Sequence, residues 1–239
     1  MGDDVLRVVN RSNQRGGRML SLIDLIEADT VTLPLAAWLT ERVEAGDSFL
    51  VGALPGGAGK TAIMGALLVM VPGDEPVRVT SGGRWRSAGP GETVVAYEIS
   101  PASYEAYIWG REVRTFVELG ISGARLVANL HADTLEQALT QLSDDNGVPD
   151  EHLSAFDFFV PITMNGGLGR RARIVEKVDY RGGGSTGGGR SAEGWGTVGR
   201  HPELSGRAAN IAGFLEECRR DGRARIEEVR ERWLAFRRS

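Results

Sequence analysis

The sequence predicts an α/β fold with a mainly parallel sheet, flanking helices, a late β-hairpin and a C-terminal helical appendage. Three short, almost wholly apolar runs, at residues 48–54, 93–99 and 125–130, have the length of buried strands. Segments whose apolar residues recur at helical spacing separate these runs. Buried strands that alternate with helices are typical of a parallel sheet that is covered on both faces.

Two helices are predicted before the first buried strand. Residues 1–18 are polar, and we expect a flexible arm with a short strand at residues 5–9. The first helix carries its apolar residues on one face at residues 22–26. The second begins at Thr32, whose hydroxyl is suited to an N-cap, and ends at Gly46, where a left-handed residue closes a helix.

Further elements are predicted between and after the buried strands. We expect a largely apolar helix at residues 61–70, a short strand at 77–80 and an amphipathic helix at 104–119. Asp133 and Glu136 have the spacing of a capping box. Asp133 is therefore expected to cap the start of another helix.

Composition divides the rest of the chain. Strands at residues 158–163 and 172–180 flank a turn that contains two glycines, and they predict a hairpin. A glycine-rich stretch that is typical of flexible linkers follows, and two helices come after it. The sequence therefore predicts four segments: an arm at 1–18, an α/β domain at 19–180, a linker at 181–200 and a helical pair at 201–239.

The overall composition limits the classes of function. A net charge of −4 does not favour general nucleic-acid binding, and we expect no direct contact with nucleic acid. No apolar run reaches the length of a membrane span and no signal-peptide pattern is present, so a cytoplasmic location is expected. Cys218 is the single cysteine, which excludes an intrachain disulfide.

The strongest motif lies between the first buried strand and the helix that follows it. It consists of Pro55, Gly56, Gly57, Ala58, Gly59, Lys60 and Thr61, preceded by Leu54 where the full pattern has glycine. Glycines allow backbone N–H groups to surround phosphate groups, and the N-terminus of a helix favours negative charge. The motif predicts a P-loop NTPase domain that binds a nucleoside triphosphate with Mg²⁺. Lys60 would contact the phosphates, and the Thr61 hydroxyl would contact the metal.

Two more polar side chains lie at the ends of buried strands. Glu98 lies at the end of the strand at residues 93–99, where an acid in a P-loop protein binds Mg²⁺ or positions the attacking water. His131 follows the strand at residues 125–130, on the edge where α/β sheets bind ligands. We therefore predict Glu98 and His131 as catalytic residues, with Thr61 and Glu98 as metal ligands.

Several segments resemble the ATPases of type II and type IV secretion and of type IV pili. They are Leu22-Ile-Asp-Leu-Ile-Glu-Ala-Asp29, the Val-Glu-Ala-Gly-Asp-Ser run before the first buried strand, the motif at residues 55–61, and Leu130-His131-Ala132. The resemblance covers about residues 19–180. It implies a RecA-like P-loop domain that binds ATP with Mg²⁺, in which Lys60 and Thr61 belong to a Walker A motif, Glu98 to Walker B, and His131 to a histidine box.

The same resemblance implies a function for the whole protein. Members of that family are hexameric motors that couple ATP hydrolysis to transport or assembly. Their partners are membrane-associated secretion or pilus components, so a position at the inner face of the membrane is expected. The late hairpin would correspond to the one that closes the motor domain of that family.

Four features depart from the pattern of that family, and one of them is a longer interval between Glu98 and His131. No acidic residue directly follows the strand at 77–80, no arginine closely follows Glu98, and residues 1–18 stand where the family has a large domain that supplies arginines. An arginine that acts on the transferred phosphoryl group contributes about 10³ to 10⁵ in rate, so slow hydrolysis is expected. One alternative is a nucleotide-binding regulatory or scaffold subunit without turnover. A second alternative is an unrelated P-loop kinase, against which the Leu-His-Ala segment counts.

Overall fold

The computed structural model describes residues 4–13, 16–54, 56–165, 172–182 and 194–238. The helices are α1 (Asp4–Ser12), α2 (Leu22–Glu27), α3 (Leu33–Ala45), α4 (Lys60–Leu68), α5 (Arg111–Ile121), α6 (Leu135–Thr140), α7 (Gly206–Arg220) and α8 (Ile226–Phe236). The strands are β1 (Phe49–Gly52), β2 (Val77–Val79), β3 (Thr93–Ile99), β4 (Tyr107–Ile108), β5 (Arg125–Leu130), β6 (Phe158–Pro161), β7 (Thr163–Asn165), β8 (Ala172–Ile174), β9 (Lys177–Arg181) and β10 (Trp195–Gly199). None of the helices described here is both long and apolar enough to cross a lipid bilayer.

One large mixed sheet organises the fold. Its strand order is β10-β9-β6-β1-β5-β3-β2, and β4 pairs with the end of β3. The strands from β6 to β2 are parallel to one another, whereas β9 and β10 are antiparallel additions at one side. The predicted α/β class, with a mainly parallel sheet and flanking helices, is confirmed.

Helices cover both faces of this sheet because successive strand residues point to opposite sides. Val95 and Tyr97 of β3 belong to a buried cluster that also contains residues of α1 to α4, α7 and α8. Val94 and Ala96 belong to a second cluster, together with residues of α5 and α6. The central strands are therefore buried on both sides, which explains why they read as continuous apolar runs.

The N-terminal segment differs from the prediction. The strand expected at residues 5–9 is part of helix α1, and Val5, Val8 and Val9 are buried on that helix. Spacings of three and four residues place side chains on one face of a helix, whereas a strand would send adjacent Val8 and Val9 to opposite faces. This buried face packs against α4 and β2.

The helix predicted at residues 104–119 begins later in the structure. Tyr107–Ile108 pairs with the end of β3 as strand β4, and α5 begins at Arg111. Ala106 and Gly110 have φ angles of 58° and 59°, which do not fit a right-handed helix. The apolar spacing that predicted a helix is therefore correct for α5 and wrong for the residues before it.

The two strands predicted at residues 158–163 and 172–180 pair antiparallel, but each is divided in two. β6 pairs with β9 in the large sheet. β7 pairs with β8 in a separate two-stranded sheet. The turn that was predicted between them falls largely on residues 166–171, which lie outside the described part of the chain.

The predicted linker at residues 181–200 contains a strand. Residues 183–193 lie outside the described part of the chain, but Trp195–Gly199 forms β10 along β9. The Arg181 guanidinium lies over the Trp195 ring, 5.0 Å from its centroid, and the Thr197 hydroxyl donates to Asp179 at 3.0 Å. These cross-strand contacts stabilise a strand that glycine-rich composition did not indicate.

The C-terminal helices pack on the α/β part of the chain. α7 lies against α3, and α8 contacts the C-terminal end of α4. Trp233 Nε1 donates to the Met70 carbonyl at 2.7 Å, and Arg230 Nη1 donates to the Val69 carbonyl at 2.8 Å. Val69 and Met70 directly follow the last residue of α4, so α8 satisfies carbonyl groups of the turn that ends this helix.

Candidate functional site

Three parallel strands bring the candidate residues to one edge of the sheet. β5 lies between β1 and β3, and Gly52 of β1 and Ile99 of β3 both pair with Leu130 of β5. The carboxyl ends of the three strands therefore coincide. Glu98 and the segments that follow β1 and β5 meet at this edge, where parallel sheets bind ligands.

The segment that leads from β1 to α4 contains the glycine loop, which we define as residues 56–59. Gly57 and Gly59 have φ angles of 84° and 101°, in the left-handed region that favours glycine. Gly59 is also the N-cap of α4, and Lys60 is the first residue of that helix. Of the predicted loop residues, only Pro55 lies outside the described part of the chain.

Lys60, Glu98 and His131, which the sequence analysis singled out separately, form one cluster. Lys60 Nζ lies 2.8 Å from Glu98 Oε1, and His131 Nε2 lies 3.1 Å from the same oxygen. Lys60 Nζ also donates to the Ala53 carbonyl at 3.1 Å and lies 3.4 Å from His131 Nδ1. The ammonium group is therefore held between the end of β1 and the end of β3.

Burial makes the Lys60–Glu98 contact an interaction in a low-dielectric environment. The two side chains are only 8 % and 10 % exposed, whereas that of His131 is 43 % exposed. Glu98 Oε1 is buried and has no aligned hydrogen bond in the described part of the chain, so its contact with Lys60 is electrostatic. Such an oxygen retains the capacity to accept a better-aligned donor or a cation.

The cluster borders a cavity of about 350 Å³. The glycine loop, Lys60 and Thr61 contribute to its lining, together with Glu98 and His131. The predicted metal ligand Thr61 therefore faces the same space as the predicted ligand Glu98. A cavity of this size is in the range of small-molecule sites.

An N-terminal wall of the cavity was not predicted. Ser12, Asn13 and Arg18 of the predicted flexible arm line it, together with Met19 and Leu20 at the start of the predicted α/β domain. Gly65 allows this wall to approach α4 closely, because an added Cβ there would lie 2.7 Å from Met19 Cε and 3.1 Å from Val9 Cγ1. A glycine within an apolar helix was the one signal of such a close approach.

Two polar side chains that line the cavity form hydrogen bonds with other residues of the protein. Arg18 binds the Asp24 carboxylate with both Nη atoms, at 2.6 and 2.5 Å. The Tyr97 hydroxyl donates to the Val8 carbonyl at 2.9 Å, and burial raises the pKa of Tyr97 to about 12. The first contact compensates the charge of Arg18, and the second joins α1 to β3.

Asp133 is not the helix cap that was predicted. Thr134 is the N-cap of α6, and its hydroxyl accepts the N–H of Gln137 at 3.2 Å. Asp133 Oδ1 instead accepts the N–H of Leu54 at 2.8 Å. It therefore fixes the chain that leads into the glycine loop, a contact that short-range spacing did not indicate.

Arg173 contacts the glycine loop, and the sequence analysis did not single it out. It lies on β8 of the small sheet, and its Nε and Nη2 atoms donate to the Gly57 carbonyl at 3.2 and 3.1 Å. The Arg173 Cδ atom would lie 3.1 Å from a Cβ at Gly59. An arginine within a predicted strand is a common pattern, so the sequence alone does not predict its contact with the glycine loop.

Among known proteins, the chain matches solved structures only. No protein-family model matches the chain, and no curated protein matches it. Sixteen chains of solved structures match. One is the VirB11 ATPase from the Brucella suis type IV secretion system in complex with sulphate, with 17 % identity and a TM-score of 0.43. That match covers 66 % of this chain and 54 % of the other, so this chain spans about half the length of that protein.

Proposed function

We propose that the chain binds ATP with Mg²⁺ at the glycine loop and hydrolyses it as a motor of secretion or pilus type. The observation that carries the proposal is the position of Lys60 Nζ, 2.8 Å from Glu98 and beside a cavity lined by glycine-loop residues. A lysine ammonium beside the cavity, a loop with two left-handed glycines and a helix N-terminus together suit a polyphosphate.

Each residue of the site has a proposed role. Lys60 contacts the outer phosphates, and the glycine-loop N–H groups surround them. His131, which is exposed on the cavity side, responds to the terminal phosphate. Glu98 positions water and takes part in metal binding.

The donor set fits magnesium only together with phosphate. No group of three His, Cys, Asp or Glu side chains in the described ranges is arranged to hold a metal ion alone. Mg²⁺ is usually bound by one or two protein ligands plus substrate phosphates and water. Thr61 and the buried Glu98 oxygen without an aligned hydrogen bond fit that mode, and the metal would neutralise phosphate charge there.

A change of partners by Lys60 follows from this arrangement. The ammonium now compensates Glu98, a single carboxylate. A triphosphate carries more negative charge and would attract Lys60 away from Glu98. Glu98 would then be available to the metal, so binding of the phosphates and of the metal would reinforce each other.

The wider function is proposed from the sequence resemblance to secretion and pilus ATPases. We propose self-association into a hexameric ring, with membrane-associated secretion or pilus components as partners. The site would then lie at the cytoplasmic face of the membrane, with the protein bound peripherally.

The second candidate is a subunit that binds nucleotide without turnover. Ser81, Gly82 and Gly83 follow β2 where the family has acids, and Ser100 and Pro101 follow β3 where it has arginine. Arg18 lines the cavity, but Asp24 engages both of its Nη atoms. These features remove water positioning and charge neutralisation, on which phosphoryl transfer depends.

One experiment separates the candidates. Binding of Mg²⁺-ATP by calorimetry and release of phosphate in steady state are measured for the wild type, Lys60→Ala and Glu98→Gln. Lys177→Ala, which changes the chain's other lysine, on β9, and the exposed Glu112→Gln are the matched controls.

The outcomes are distinct. Loss of binding in Lys60→Ala and loss of turnover in Glu98→Gln support the motor ATPase. Binding that depends on Lys60, without turnover by any variant, supports the second candidate. Absence of ATP binding by the wild type would contradict both.

A further inference from the structure

We propose that Arg173 positions the glycine loop for anion binding by holding the peptide group between Gly57 and Ala58. The inference rests on the proposed nucleotide site. The guanidinium donates to the Gly57 carbonyl through two nitrogen atoms, Nε at 3.2 Å and Nη2 at 3.1 Å. Two donors on one carbonyl fix its direction more firmly than a single donor would.

The geometry of the peptide group links the Arg173 contact with the Gly57 carbonyl to the direction of the Ala58 N–H. The Gly57 carbonyl and the Ala58 N–H belong to one planar trans peptide, in which the two groups point in opposite directions. Arg173 holds the carbonyl, so the Ala58 N–H must point away from Arg173. Ala58 lines the cavity, whereas Arg173 is not among the lining residues.

Charge supports the same role. Arg173 has no carboxylate partner within the described ranges, whereas Arg78 pairs with Glu92 and Arg86 with Glu112. The positive charge behind the glycine loop is therefore not compensated by a neighbouring acid of that part of the chain. An uncompensated cation at this position increases the attraction of the loop for anions.

Preorganisation is needed here because of the composition of the loop. Three of the four glycine-loop residues are glycine, which has more conformational freedom than other residues. Fixing such a loop before the ligand arrives lowers the entropy that binding must remove. Arg173 performs this from β8, which belongs to the small sheet and not to the strands that carry the loop.

The test uses the full chain and inorganic tripolyphosphate, which lacks a base and reports on the loop alone. ATP with Mg²⁺ is the second probe, and the variants are Arg173→Ala and Lys60→Ala. The matched control is Arg86→Ala, an exposed arginine that lies outside the site. Arg173→Ala should weaken the binding of both probes by a common factor of about tenfold, since it removes hydrogen bonds from a charged donor. Arg86→Ala should bind both probes like the wild type.

Chemical rescue separates positioning from a general structural role. Guanidinium salt, at concentrations far below those that unfold the protein, should restore tripolyphosphate binding to Arg173→Ala. It should not improve binding by Lys60→Ala or by the wild type. Loss of affinity without rescue would overturn the inference, because damage to the fold would then explain it.

Other outcomes separate the inference from the proposed function. Wild-type affinity of Arg173→Ala, with loss of binding in Lys60→Ala, would overturn the role of Arg173 and leave the nucleotide site intact. Tighter binding by Arg173→Ala would also overturn it, since Arg173 would then hold the loop in a closed state. Failure of the wild type to bind either probe would remove the proposed function and the inference together.

Discussion

Lys60 and Glu98 form a buried ion pair that joins the first residue of α4 to β3, with 2.8 Å between Nζ and Oε1. Removing two charges from water has a large desolvation cost, which close pairing offsets. Each group therefore depends on the other for its charge to remain buried. Removal of one partner alone would therefore destabilise the fold around the other.

A double-mutant cycle tests this dependence. Lys60→Met and Glu98→Gln each leave one charge without its partner, so each should lower the free energy of unfolding by about 3–5 kcal/mol. The double variant should be more stable than the sum of the single effects predicts, by about 1–3 kcal/mol. Urea unfolding followed by circular dichroism measures all four proteins.

The exposed pair Arg86–Glu112 is the control for that cycle. Both side chains are 45 % exposed, and pairs of this kind contribute less than about 1 kcal/mol. A coupling free energy at Lys60 and Glu98 no larger than at Arg86 and Glu112 would contradict the role assigned to burial.

Gly59→Ala should damage both the loop and its ligand binding. Gly59 has a φ of 101°, and an added Cβ would lie 3.1 Å from the Arg173 Cδ atom. We expect a loss of about 1–3 kcal/mol in the free energy of unfolding, from backbone strain. Tripolyphosphate binding, measured by calorimetry, should weaken as well.

Gly89→Ala is the matched control for this substitution. Gly89 does not adopt a positive φ, and no atom lies within 4 Å of a Cβ built there. It should change neither stability nor binding. Equal effects of Gly59→Ala and Gly89→Ala would show that the left-handed conformation of Gly59 has no special importance.

Trp233→Phe tests the contact between α8 and the end of α4. The Trp233 ring is fully buried, and its Nε1–H donates to the Met70 carbonyl at 2.7 Å. Phenylalanine keeps most of the apolar volume but leaves that carbonyl without its donor, at a cost of about 1–3 kcal/mol. Urea unfolding of the variant should show a lower midpoint.

Trp195→Phe controls for the loss of an indole elsewhere. Trp195 is only partly buried on β10, and its contact with Arg181 is one that a phenyl ring can also make. We expect a change of less than about 1 kcal/mol. An equally small effect at Trp233 would mean that α8 packs on α4 without a significant contribution from the hydrogen bond.

Local signals explain which elements were predicted correctly. The limits of β3 and β5 agree with their apolar runs, and α3 lies between the predicted Thr32 and Gly46. The Thr32 hydroxyl accepts the N–H of Leu35, and Gly46 has a φ of 104°. Caps and buried strands of this kind depend on residues that are close in sequence, so the sequence alone reveals them.

Contacts between distant segments explain the rest. β4 and β10 form because of strands that precede them, and α1 forms against α4 and β2. The cluster of Lys60, Glu98 and His131 was predictable because parallel strands end at a common edge. The contacts of Arg173 with Gly57, 116 residues away, and of Asp133 with Leu54, 79 residues away, had no comparable rule.

Tyr97 leads to a prediction about alkaline pH. Burial raises the pKa of Tyr97 from 10.0 to about 12, so the folded protein holds this proton more tightly than the unfolded chain. The resulting stabilisation is fully present below the unfolded pKa and is lost as the pH rises from about 10 to about 12. It corresponds to roughly 2–3 kcal/mol of unfolding free energy.

Tyr97→Phe removes this titration together with the hydrogen bond to the Val8 carbonyl. The variant should be less stable than the wild type at neutral pH, and the difference should shrink as the pH rises above about 10. Urea unfolding of both proteins across this pH range measures the difference. Tyr104→Phe is the control for the loss of a phenol hydroxyl, because Tyr104 is 64 % exposed. A pH-independent difference for Tyr97→Phe would contradict the prediction, since the proton of Tyr97 would then contribute nothing to folding.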